Sequence, residues 1–102
     1  MKVITLCGSL KFQKEMMKIT EKMLLEGYFI LTPVYPVLEN IKRTEEQLMN
    51  LKEEHFKRID FSDAILVVNV DNYIGYSTNL EIDYAKKLGK EIIYYTDLIE
   101  NK

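Results

Sequence analysis

Ser62–Ala85 reads SDAILVVNVDNYIGYSTNLEIDYA, and this stretch decides the fold. It opens on a continuous apolar run, Ala64 to Val68, rich in the branched residues that suit a strand buried on both faces. A polar turn with Asn69, Asp71, Asn72 and Gly75 follows. The stretch closes on a helix signal, in which Ser77 or Thr78 can cap and Glu81 falls within the first turn. A strand, a loop and a helix mouth bearing a carboxylate is how open α/β sheets build ligand sites.

Working outward, the same alternation continues on both sides. Gly89 ends the central helix, and Glu91 to Tyr95 reads as a fourth strand, with Thr96 to Lys102 left as a tail or a frayed turn. Upstream, Thr44-Glu45-Glu46-Gln47 is a capping box that starts a helix with Leu48, Leu51, His55 and Ile59 on one stripe. Val34 to Lys42, broken by Pro36 and Asn40, reads as a loop over the top of the sheet. Tyr28 to Leu31 is a strand closed by Pro33. Before it, Phe12, Met16, Ile19 and Met23 recur at helical spacing up to Gly27, and Val3 to Leu6 is the first strand. The order βαβαβαβ predicts a single α/β domain over residues 1–102. Its sheet is small, doubly wound, flavodoxin-like and parallel, with strand order 2-1-3-4 and helices on both faces.

Composition bounds the class. Apolar residues make up 47% and charged residues 29%, the balance of a globular chain rather than a disordered one. A net charge of −2 gives no footing for a nucleic acid polymer or an anionic membrane surface. No apolar run approaches the roughly 20 residues needed to span a bilayer. MKVITLCGS is too short in its apolar part for a signal peptide. The lone Cys7 has no internal disulfide partner, so a cytoplasmic location is expected.

In such a sheet the ligand crevice lies at the carboxyl ends of the strands, between strands 1 and 3 where the order reverses. The loop after strand 1 offers Gly8, Ser9 and Lys11: close backbone approach, a hydroxyl and a positive charge. The loop after strand 3 offers Asn69, Gly75 and Ser77. Each has a structural alternative. Ser9 can simply cap the first helix, and Asp71 can simply form the turn. Glu81 can be the far half of a capping box with Thr78, or a nucleophile or general base facing the crevice. His55, the only histidine, reads first as a hydrogen-bonded core residue. A helix feeding a parallel strand ends at the sheet's opposite edge, which sets His55 away from the crevice. The spacing shows no second histidine, no cysteine pair and no carboxylate cluster, so no metal and no cofactor are expected.

GSL after strand 1, the SDAILVVNVD strand and GYSTNLEIDYAKKLGKEI together resemble the nucleoside 2-deoxyribosyltransferase superfamily, whose relatives include the 2′-deoxynucleoside 5′-phosphate N-hydrolases. The resemblance runs from Lys2 to about Tyr95. It implies a small-molecule nucleoside or nucleotide as substrate. Its N-glycosidic bond would be cleaved or transferred through a covalent glycosyl ester on Glu81. The resemblance also gives Asp71 the role of partner acid or sugar-binding carboxylate, and the Ser9 loop and Ser77 roles at the sugar or phosphate end. Family members often carry an aspartate eight residues before the one that opens strand 3, and here that position is His55, counted from Asp63. A catalytic His55 would need to reach the crevice, for which a helix break near Lys57-Arg58 is one route. The transferases have a longer C-terminal region that enters a neighbour's site, so a hydrolase or a nucleotide-binding relative is expected here over a base-exchange enzyme. The alternative function is a non-catalytic nucleotide or nucleotide-sugar sensor using the same crevice. The Met-rich first helix and apolar residues on more than one face of the central segments predict a homodimer or higher homo-oligomer.

Overall fold

The computed structural model describes residues 2–100. Four parallel strands, β1 (Val3–Gly8), β2 (Phe29–Leu31), β3 (Ala64–Val68) and β4 (Glu91–Tyr94), lie in the order β2-β1-β3-β4. The helices are α1 (Gln13–Leu25), α2 (Glu45–Asp60), α3 (Tyr76–Lys87) and α4 (Tyr95–Glu100). Short 3-10 turns, Leu10–Phe12 and Val70–Asn72, follow β1 and β3. The strand order and the α/β architecture are those expected from the alternation of apolar runs and capped helices.

The two inner strands carry the core, because each is paired on both sides and covered on both faces. Ile4, Leu6, Leu66 and Val68 pack with Met16 and Ile19 of α1. Cys7, Ile65 and Val67 pack with Ile59 of α2 and with Ile82 and Ala85 of α3. Adjacent residues of one strand therefore serve opposite layers, as the pleat requires. Burying each such aliphatic side chain stabilises the fold by roughly 1.5–3 kcal/mol. Register places Cys7 beside Val67 and Gly8 beside Val68 at the carboxyl ends of the central pair.

Thr44 accepts from the Gln47 backbone N–H at 3.1 Å, and the Thr44 N–H donates to Gln47 Oε1 at 2.9 Å, so the capping box forms as expected. The stripe behind it is only half used. His55 and Ile59 are buried, whereas Leu48 and Leu51 are exposed. The cause is length. At about 1.5 Å per residue, the 16 residues of α2 span about 24 Å, against about 17 Å for the 5 residues of β3. The first turns therefore overhang the carboxyl edge of the sheet.

Two further expectations are corrected. Thr96 to Glu100 is not a frayed tail but part of α4, pinned through Thr96; residues 101 and 102 lie outside the described residues. Nor does α2 break near Lys57-Arg58. It runs unbroken to Asp60. Among the described residues no helix is long and apolar enough to cross a membrane.

Candidate active site

β1 and β3 end together, Gly8 beside Val68, at the place where a sheet of this order holds its ligand crevice. A Cβ added to Gly8 would lie 3.2 Å from Val68 Cβ and 3.3 Å from both Met16 Sδ and Val68 O, so any larger residue would have to push these neighbours aside. Ser9 then caps the turn Leu10–Phe12, its hydroxyl accepting from the Lys11 N–H at 3.3 Å. The Lys11 ammonium lies 3.3 Å from the centroid of the Tyr73 ring, and the Phe12 and Tyr73 rings meet edge-on at 5.8 Å. This cation–π contact ties the loop after β1 to the loop after β3.

After β3 the chain turns sharply. Asp71 and Asn72 adopt left-handed φ of 54° and 62°, a conformation their side chains tolerate better than most. Asp71 is exposed, and the structure does not bring it into the group of ionisable side chains around Glu81. Asn69 is buried and fully engaged elsewhere. Its Nδ2 donates to Thr96 Oγ1 at 3.0 Å, and its Oδ1 accepts from the Thr96 N–H at 3.1 Å.

The start of α3 differs from the sequence expectation. Gly75 occupies the N-cap, Ser77 and Thr78 lie inside the first turn, and no side chain caps the helix among the described residues. Ser77 is exposed at the mouth while Thr78 is buried. Glu81 is thus the sixth helical residue, beyond the reach of a capping box, and the reading that pairs it with Thr78 falls away.

Glu81 turns inward instead. Its Oε1 lies 3.3 Å from His55 Nε2, with the two side chains 17% and 11% exposed. The same nitrogen lies 3.5 Å from Cys7 Sγ. One potential ligand atom from each of Cys7, His55 and Glu81 falls within 4.8 Å of the other two. Burial, and after it the charge and hydrogen bonding of Glu81, push the Cys7 thiol well above its usual pKa. In this state it is a protonated thiol rather than a thiolate nucleophile. His55 Nδ1 is buried with no hydrogen-bond partner among the described residues.

His55 therefore reaches the site without any break in α2. Cys7 faces the α2/α3 layer one residue before β1 ends, and the buried stripe of α2 brings His55 against it. The sequence missed Cys7 as a site residue, because a single cysteine in an apolar strand reads as core. Its one signal was the position directly before Gly8-Ser9.

A cavity of about 440 Å³ lies on the opposite layer, lined by Ile19 and Met23 of α1, Ile93 of β4, and Tyr95, Leu98 and Ile99 of α4. Lys2, Glu15, Lys18, Lys22 and Glu26 also line it, and it holds no member of the Cys7–His55–Glu81 group.

No family model matches the chain, and no curated protein matches it. Among solved structures it resembles the 2-desoxiribosyltransferase from Leishmania mexicana, with a TM-score of 0.64 and 21% sequence identity. The likeness covers 93% of this chain and 64% of that one. At that identity the likeness is one of fold, and this chain spans less than two thirds of that enzyme's length.

Proposed function

We propose that the chain cleaves or transfers the N-glycosidic bond of a (deoxy)nucleoside or its 5′-monophosphate, with Glu81 as the nucleophile. The observation that carries this reading is the inward-turned Glu81 beside His55 Nε2 in the crevice layer. The shared fold with a deoxyribosyltransferase supports it. A carboxylate oxygen of Glu81 attacks the anomeric carbon as the bond to the base nitrogen breaks, and that electron pair leaves with the base. Water, or a second base, then attacks the same carbon and releases the Glu81 carboxylate, so one difficult displacement becomes two easier ones.

His55 assists by donating to the carboxylate and fixing which oxygen points outward. Asp71, exposed on the turn above, is the candidate for delivering a proton to the departing base. Gly8, Ser9 and Gly75 allow the sugar to approach the backbone, and Lys11 and Ser77 face its phosphate or hydroxyl end. Asn69 serves this site indirectly, by holding the turn against α4.

The test is base release from nucleosides and their monophosphates, followed chromatographically. Glu81→Gln should lower the rate by at least about two orders of magnitude, the scale expected when a reacting group is removed. Mass spectrometry of the wild-type chain should trap a sugar on Glu81. Full activity in Glu81→Gln would overturn the mechanism. A second reading, a nucleotide sensor without turnover, is favoured by one observation: Asp71 stands outside the Glu81 group. It predicts thermal stabilisation by nucleotide with no base released.

The chain is also proposed to self-associate. Val37, Leu38 and Met49, at 73%, 68% and 61% exposure, give the loop before α2 and the overhanging turns of α2 an apolar surface.

A further inference from the structure

We propose that Cys7, His55 and Glu81 form a three-ligand site for a borderline-soft divalent ion, zinc above all. The argument starts from convergence. In a nucleophilic triad, histidine relays between its two ring nitrogens, one facing the nucleophile and the other the orienting carboxylate. Here thiol and carboxylate both approach the same nitrogen, Nε2, at 3.5 and 3.3 Å. Without an ion, the Nε2–H and the Cys7 S–H both have the Glu81 carboxylate as acceptor, so the three groups crowd together in place of forming a relay.

An ion at their centre serves all three. Zinc bonds of about 2.0–2.3 Å arranged tetrahedrally set neighbouring ligand atoms about 3.3–3.6 Å apart. The two contacts at Nε2 match those edges, and the three ligand atoms lie within 4.8 Å of each other. The sulfur, nitrogen and oxygen set suits zinc or cobalt and not magnesium or calcium, which favour oxygen alone. Charge also balances. A thiolate and a carboxylate neutralise a divalent ion, so the buried site carries no net charge when filled. As the ion binds, the Cys7 sulfur gives up its proton to solvent and forms the metal bond.

The ligands come from β1, α2 and α3, so the site exists only in the folded chain. His55 Nδ1, which carries the ring proton when Nε2 binds metal, has no partner among the described residues. Metal sites usually support that proton, so binding here is reversible and yields to chelators. Glu81 cannot hold the ion and attack a sugar at once. Zinc is therefore an inhibitor of the proposed reaction, a consequence that rests on the reading of Glu81 as nucleophile.

The experiment uses the tag-free chain and Zn2+ or Co2+ alone, with no nucleotide present. Calorimetry should give one ion per chain, and the cobalt form should show a thiolate-to-cobalt charge-transfer band with tetrahedral d–d intensity. Cys7→Ser should abolish that band, and Cys7→Ser and Glu81→Gln should each weaken binding at least about a hundredfold, beyond the usual effect of losing a supporting contact. Circular dichroism checks that each variant is folded, and Glu81→Gln serves if Cys7→Ser is not. No saturable binding, or binding without the charge-transfer band, overturns the site. Base release with added zinc and then with chelator forms a separate arm. If base release occurs and zinc does not suppress it, inhibition is refuted. If the ion binds by the criteria above and no base is ever released, the metal site stands and the nucleophile reading fails.

Discussion

Gly8 and Gly75 flank the crevice and look alike in the sequence, yet the structure asks different things of them. At Gly8 a methyl group would crowd Val68 and Met16 atoms at 3.2–3.3 Å and force them to shift. Gly75 has an ordinary φ of −81°, and its nearest neighbour, the Tyr73 hydroxyl, would lie 3.5 Å from an added Cβ. Gly8→Ala should therefore lower stability by about 1–3 kcal/mol, the usual cost of overpacking a tight interior. Gly75→Ala should cost less, about 0.5–1 kcal/mol, the preference of a helix N-cap for glycine over alanine. Urea denaturation of both variants checks this. If Gly75→Ala keeps most of its stability but loses ligand affinity, glycine is kept there for the ligand more than for the fold. In the sequence Glu81 stands between a capping box and a crevice carboxylate, and the family resemblance rather than the spacing favours the second; the structure removes the capping box. Cys7 could not be picked out from the sequence. Its burial gives it the appearance of any small core residue, and only the distant α2 and α3 show what it faces.

At the level of elements, Asn69 and Thr96 link two segments that sequence reasoning treats separately. The two hydrogen bonds between them hold α4 against the turn after β3. Asn69→Ala should cost about 1–3 kcal/mol, since it removes both bonds and strands the Thr96 N–H. Hydrogen exchange should show Tyr95–Glu100 opening more readily in that variant, while α2 keeps its protection. Undiminished protection of α4 would show that the tether is dispensable. A link of this kind, 27 residues apart, leaves no periodic trace, which is why α4 read as a tail. The elements that did read correctly have local causes: the Thr44 capping box, the unbroken apolar run of β3, and Gly27 and Gly89 at positive φ after their helices. What local pattern could not supply was the vertical position of α2, and hence which of its residues meets Cys7.

The whole molecule has two unlike ends. The carboxyl edge of the sheet carries the crevice and the overhang of α2; the amino edge is closed by polar contacts. Lys2 Nζ pairs with Glu91 Oε1 at 2.6 Å, and the Val3 N–H donates to Asp63 Oδ2 at 2.8 Å. The apolar overhang should associate two or more chains, and sedimentation at micromolar concentration should show a species larger than one chain. Leu38→Glu with Met49→Glu should shift it to the monomer without unfolding it; a wild-type monomer would refute the association. The closed amino edge has a practical corollary. A fluorophore, a surface tether or a fused partner placed ahead of Lys2 would hang from the end of the sheet farthest from Glu81. The chain could then be immobilised with its crevice facing the solution.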